Sequence, residues 1–198
     1  MLDGFVPFPP EYAARYRERG YWQDQTLAQE FAAVFRKFAQ RTALIDGSRR
    51  YTYADIDAQS DNLALNLLEL GLKPLDRVVP TLPNVAEFVI LYFALQKIGA
   101  IPIAALVTHR FAEISQFTKL SGAACAVYPE AAGDFRFGPM IDRVQAENAS
   151  LKIRLVLGQP GPGEHSLLDL IERPARLPKS RLAQVKIEPT DPCIFQLS

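Results

Sequence analysis

Two histidines, two cysteines and a scatter of carboxylates are the side chains in this 198-residue chain that could hold a metal or move a proton. A tetrahedral metal site wants three or four such ligands on short, defined spacings. His109 and His165 lie far apart, and Cys125 and Cys193 form no CxxC pair and sit in apolar, strand-like surroundings. That pattern predicts small buried thiols in a reducing compartment and no metal centre. His109 follows Thr108 just after the apolar stretch 101–106, and the end of a parallel strand is where ligands gather. It is therefore a candidate ligand contact, although the plainer reading is a helix-start histidine that orders its own loop.

Phosphate chemistry has one apparent candidate in Gly158-Gln-Pro-Gly-Pro-Gly163, which follows a strand and precedes a helix. A phosphate loop works by aiming backbone N–H groups at the anion, with a Lys and a Ser or Thr behind them. Two prolines remove such donors here and no Lys or hydroxyl follows in place, so the segment reads as a surface turn. Paired carboxylates do no better. Asp55, Asp57 and Asp61 fall on or near one helix's polar face, and Asp24, Asp134, Asp142 and Asp169 are dispersed among turns and helix surfaces. Such charges read as solvation, not acid–base machinery.

The elements that would have to position any site form a regular series. Beyond residue 84, Asn84 with Glu87 reads as a capping box for a helix ending at Ile98, stopped by Gly99. Phe88, Val89, Ile90, Leu91, Tyr92, Phe93 and Leu95 surround most of that helix, so it must be covered on more than one side. Full burial is worth about 1.5–3 kcal/mol for each such side chain. There follow a strand at 101–105, a helix over 110–120 with Phe111, Ile114 and Phe117 on one face, a strand at 123–128, a helix over 139–148, a strand at 152–157 and a helix over 166–172. Continuous apolar strands joined by helices predict a parallel sheet covered on both faces: the fold class is α/β.

Upstream, Thr26 and Gln29 read as a capping box for a helix carrying Leu27, Phe31, Val34, Phe35 and Phe38 on one side. Asp46-Gly47 between the stretches 42–45 and 49–53 is the strongest hairpin signal in the chain. A helix over 54–70 places Ile56, Leu63, Leu67 and Leu70 near one face. Pro174, Pro178 and Pro189 interrupt a charged stretch read as a loose linker. Pro80, inside the stretch 78–82, deletes a ladder donor and predicts an edge position or a weakened strand.

Composition excludes several function classes. Lys plus Arg and Asp plus Glu number 22 each, a formal net charge of zero, so nothing draws the chain to nucleic acid or an anionic membrane. The longest apolar run, 88–95, falls well short of the roughly 20 residues of a membrane span. The opening Met1-Leu-Asp-Gly-Phe-Val-Pro7 lacks the basic start and apolar stretch of a secretory signal, which predicts a cytoplasmic protein.

The ordered series of segments resembles a known family. Phe8-Pro-Pro-Glu-Tyr-Ala-Ala-Arg-Tyr-Arg-Glu-Arg-Gly-Tyr-Trp-Gln-Asp24 resembles the opening of the stand-alone aryl-acid adenylating enzymes of siderophore synthesis, especially 2,3-dihydroxybenzoate–AMP ligases. Tyr51-Thr-Tyr-Ala-Asp-Ile-Asp57 is similar to the first core motif of the wider adenylate-forming superfamily. Leu82-Pro-Asn-Val-Ala-Glu-Phe88, Ala94-Leu-Gln-Lys-Ile-Gly-Ala-Ile-Pro102 and Thr108-His-Arg110 match the next block. Gly163-Glu-His-Ser-Leu-Leu-Asp169 and Phe195-Gln-Leu-Ser198 continue it in order.

The resemblance implies the N-terminal part of that family's large domain, with residues 1–198 as an incomplete adenylation domain. Residues 1–50 hold N-terminal helices and the start of a hairpin, 51–173 a βα-repeating region, and 174–198 a linker and a strand. It further implies an enzyme that uses ATP and Mg²⁺ to turn 2,3-dihydroxybenzoate or a related aryl acid into its acyl-AMP, for transfer to the phosphopantetheine thiol of an aryl carrier protein. In the family the last strand runs into a Gly- and Thr-rich phosphate loop, so Ser198 is implied as a nucleotide-binding residue, the first of that loop. No catalytic or metal-binding residue carries over, and neither ATP nor Mg²⁺ is expected to bind well to this chain alone. The chain is expected to be an inactive leading portion of the ligase. Two other readings stand beside it: a split-enzyme subunit completed by a separate C-terminal half, and a non-catalytic interaction module that keeps the scaffold.

Overall fold

The computed structural model describes residues 6–196. Helices α1 (Pro10–Glu18) and α2 (Leu27–Lys37) precede a hairpin of β1 (Thr42–Asp46) and β2 (Arg49–Thr52). Then come α3 (Tyr53–Glu69), β3 (Arg77–Pro80), α4 (Ala86–Ile98), β4 (Ile101–Pro102), α5 (Phe111–Ser121) and β5 (Cys125–Pro129). A small hairpin, β6 (Ala131–Ala132) and β7 (Phe135–Arg136), leads into α6 (Phe137–Glu147), β8 (Ile153–Leu157), β9 (His165–Ser166), α7 (Leu167–Glu172) and a 3-10 helix, Lys179–Gln184.

Five strands make one sheet in the order β4-β3-β5-β8-β9, every pairing parallel. Successive residues of a strand point to opposite faces, and both faces are apolar. Val78, Cys125, Val127, Ile153 and Leu155 enter a core built with α3, α4 and α7. Val79, Ala126, Tyr128 and Val156 enter a second core under α5 and α6. This is the α/β layering expected from the apolar strands. The all-round apolar α4 is covered on several sides, with Phe93 edge-on to Phe31 and Phe35 of α2 at centroid distances of 4.8 and 5.0 Å.

Of the local signals, some hold and one does not. The Thr26–Gln29 capping box forms as expected. The hairpin turns at Gly47, with φ of +59°, but Asp46 pairs with Arg49 as the last strand residue, so the two-residue loop is Gly47-Ser48. The Asn84–Glu87 box does not form. Val85 caps α4 without a side-chain bond, and the Ala86 N–H donates to Asp46 Oδ2 at 3.0 Å. Glu87 turns instead to Arg49 Nη1 at 2.5 Å, which ties the hairpin to the helix. A carboxylate at a helix N-terminus satisfies an orphan donor wherever in the chain it comes from.

Pro80 is neither on an edge strand nor in a broken one. Ala124 and Thr81 N–H groups bond on the β5 side of β3, to Arg77 O and Val127 O, whereas Ile103 and Ala105 N–H groups reach Val78 O and Pro80 O on the β4 side. The donor that proline lacks therefore faces β4, which contributes only two ladder residues. The stretch 174–189 is no loose linker. Glu69 Oε1 accepts from the Arg176 and Leu177 N–H groups at 2.5 and 2.8 Å, Lys179 reaches Asp61, and Leu182 packs on the core. It is an ordered strap across α3.

Several carboxylates are held below their usual range by the bonds they accept. Asp46 owes this first to the Ala86 N–H and then to Arg49, Asp55 to the Thr52 hydroxyl and N–H, and Glu130 to the Gln159 N–H and Arg136. A carboxylate depressed in the folded state contributes stability that is complete above its unfolded value and is lost as pH falls through the folded one. The urea midpoint is thus expected to be flat from about pH 6 to 8 and to drop below about pH 4. Asp55→Asn should flatten that acid limb; an unchanged limb in the variant would contradict the assignment.

Candidate functional site

With every strand parallel, all carboxyl ends open on one edge of the sheet, where α/β proteins bind ligands. Turns after β3, β4, β5 and β8 line that edge. Phe195 bridges Ile103 in parallel and donates its N–H to Pro102 O at 3.0 Å, so the backbone at Gln196 also runs toward it. Ser198, the nucleotide-binding candidate, lies outside the described residues.

His109 orders its loop, as the plainer reading had it. Its Nδ1 accepts the Leu106 N–H at 3.1 Å, its own N–H returns to Leu106 O at 3.0 Å, and its ring stands edge-on to Phe117. Arg110 beside it donates Nη1 to Val107 O and His109 O, both at 2.9 Å, while its guanidinium lies 4.1 Å from the Phe135 ring centre. Both side chains, His109 and Arg110, are used on local structure.

The glycine-rich turn is occupied by acids. Gly161 N–H donates to Glu164 Oε2 at 2.7 Å and Gln159 N–H to Glu130 Oε2 at 3.1 Å, which places negative charge where a phosphate would need donors. Glu164 is itself fixed by the buried Tyr128 hydroxyl at 2.8 Å, and Arg154 holds Pro162 O at 2.8 Å. His165 is exposed in β9. Cys125 is fully buried, and burial pushes its thiol well above the ordinary range; Cys193 is only half-buried, more open than expected of it. Among the described residues no group of His, Cys, Asp or Glu is placed to hold a metal ion. The turn at 158–164 therefore has its N–H groups taken by carboxylates and is not a phosphate cradle, and no catalytic step is assigned to the described residues.

One charged cluster went unread in the sequence. Lys97 of α4, with only 10% of its side chain exposed, has four oxygens within 2.9 Å of its ammonium. They are Asp57 O and Oδ1, Ser60 Oγ and Asp61 Oδ1. Lys179 of the strap forms an ion pair with Asp61 Oδ2 at 2.5 Å without hydrogen-bond geometry. Asp61 is thus nearly buried, not solvated; the signals were its i,i+4 spacing from Asp57 and a lone lysine in an apolar helix. With every N–H of Lys97 engaged, the cluster is a clasp between α3, α4 and the strap.

A parallel sheet covered on both faces, with the backbone at Phe195 and Gln196 running toward its carboxyl edge, is an α/β scaffold. Residues 31–198 match the AMP-binding enzyme family. The 2,3-dihydroxybenzoate-AMP ligase of Bacillus subtilis is 35% identical over 185 residues, covering 93% of this chain and 34% of that protein. The salicyl-AMP ligase / salicyl-S-ArCP synthetase of Mycobacterium tuberculosis is 39% identical over 166 residues, 81% of this chain and 29% of that protein. The apo structure of Mycobacterium smegmatis MbtA superposes with a TM-score of 0.86 at 31% identity, over 98% of this chain and 35% of that one. The chain belongs to the AMP-binding enzyme family, and it spans about a third of the length of these relatives. Among the described residues no helix is long and apolar enough to cross a membrane.

Proposed function

We propose that this chain is the leading part of an ATP-dependent aryl-acid adenylating ligase. The whole enzyme activates 2,3-dihydroxybenzoate or a related aryl acid as its acyl-AMP, with release of pyrophosphate. It then passes the acyl group to the phosphopantetheine thiol of an aryl carrier protein in siderophore synthesis, forming a thioester with release of AMP. Similarity to two aryl-acid–AMP ligases along most of the chain is the observation that carries this reading. The unbridged thiols Cys125 and Cys193 suit work in the reducing cytoplasm.

Activating a carboxylate at phosphorus brings two anions together, so the charge must be neutralised by donors and cations held in line. The described residues supply the scaffold for such a site and not the donors, which on this reading lie in sequence beyond Gln196. ATP–pyrophosphate exchange tests it. Joined to the downstream region of a ligase of this family, the chain is expected to support exchange dependent on 2,3-dihydroxybenzoate or salicylate and not on an alkanoic acid. Absence of exchange in the joined chain, where the same downstream region supports it when joined to the leading part of its own ligase, would overturn the reading.

A further inference from the structure

Gln96 is a buried amide, 6% exposed, in a stretch of α4 whose neighbours Ala94, Leu95 and Ile98 are fully buried apolar residues. Its Nε2 donates to Cys193 O at 2.8 Å, across 97 positions of sequence. Two residues further on, Phe195 joins β4 through its N–H to Pro102 O. The tether and the bridge are consecutive along the chain.

The strap is also pressed against the end of α4. A Cβ on Gly99, whose φ is +66°, would lie 2.9 Å from Ile187 Cγ1, so the backbone there leaves room for the strap and little else. On its other side the segment carrying Trp22 and Gln25 closes a cavity of about 260 Å³, whose lining also includes Gln96, Ile187 and Cys193. A polar side chain is costly at a buried site unless its bond does something the apolar alternative cannot. Here that bond fixes where the returning chain meets the sheet.

We propose that Gln96 is a positioning residue: its amide sets the register at which residues 193–196 join the edge of β4, and so the path by which the chain reaches the carboxyl edge. The structural claim stands by itself; its catalytic consequence rests on the ligase reading.

Gln96→Met keeps the side chain's bulk and removes the donor. Cys193 reports on the tether, because Cys125 is buried and its thiol is held protonated. In the 198-residue chain the variant is expected to raise maleimide labelling of Cys193, and hydrogen exchange at the Phe195 amide, about tenfold each, with the Val127 amide unchanged. Equal rates in variant and parent would overturn the proposal. The parent alone supplies a second check: a Phe195 amide that exchanges as fast as an unstructured peptide overturns it whether or not the variant folds. In the chain joined to a downstream ligase region, the variant should lower kcat for exchange about tenfold while the aryl-acid KM holds within about twofold, as expected of misplaced reacting groups rather than lost substrate binding. An unchanged kcat removes the catalytic consequence. Absence of exchange in the joined parent would count against the ligase reading and leave the labelling and exchange results to decide the tether.

Discussion

Lys97→Met is expected to lower the free energy of unfolding by about 1.5–3 kcal/mol, because it strips the buried one of two cations, and its hydrogen bond, from a carboxylate that folding has taken out of water. Asp61 is 9% exposed, and its remaining cation, Lys179, approaches from an exposed position without hydrogen-bond geometry. Asp57 is open enough to recover water; Asp61 is not. Ser60 also loses its donor, although its hydroxyl keeps Ile56 O at 2.7 Å. The double variant Asp61→Asn, Lys97→Met removes the bare charge along with the lysine and should regain part of the loss. Urea unfolding of the three chains measures this, and a loss below about 1 kcal/mol for Lys97→Met would mean that the clasp is an ordinary surface pair.

The second large effect concerns Asn66, which is completely buried in α3. Helix α7 is six residues long, so its last carbonyls have no intrahelical donors. Asn66 Nδ2 donates to Leu170 O and Arg173 O at 2.9 Å each, and its Oδ1 accepts Arg173 Nη2 at 3.1 Å. Asn62, one turn earlier, donates to Ile171 O at 2.8 Å and accepts the Ala175 N–H at 3.0 Å. Two asparagines of one helix thereby cap another and start the strap. Asn66→Leu leaves the Leu170 carbonyl bare, and Asn62 still reaches Arg173 O at 2.7 Å. The expected loss is about 1–3 kcal/mol for each buried group left unpaired. Trypsin should also cut faster after Arg176 and Arg181 as the strap loosens. Unaltered stability and cleavage would contradict the capping role.

What was legible in the sequence was what depends on periodicity and near neighbours. The apolar stretches at 123–128 and 152–157 announce buried parallel strands because both faces of each are covered. The apolar girdle of α4 announces neighbours on several sides, and Thr26 with Gln29 needs only its own turn to cap a helix. Distant partners were not legible. Asn84 lost the N-terminus of α4 to Asp46, forty residues away. Asp61 looked like surface charge because nothing local says that Lys97 and the strap close over it. Prolines at 174, 178 and 189 suggested slack, whereas the backbone between them is held by Glu69, Lys179 and Leu182. The site was legible in a negative sense. The prolines of the turn at 158–164, with no Lys or hydroxyl after them, argue against a phosphate cradle in the sequence; Glu130 and Glu164, which take its N–H groups, argue against it in the structure, and His109 spends its ring on its own loop.

The measurement that tests the account most directly is acid-dependent ATP–pyrophosphate exchange by the 198-residue chain, alone and joined to the downstream region of an aryl-acid–AMP ligase. The proposed reading, in which the phosphate donors lie beyond the described residues, predicts background exchange alone and exchange dependent on the aryl acid once joined. Exchange well above background from the chain alone would contradict it.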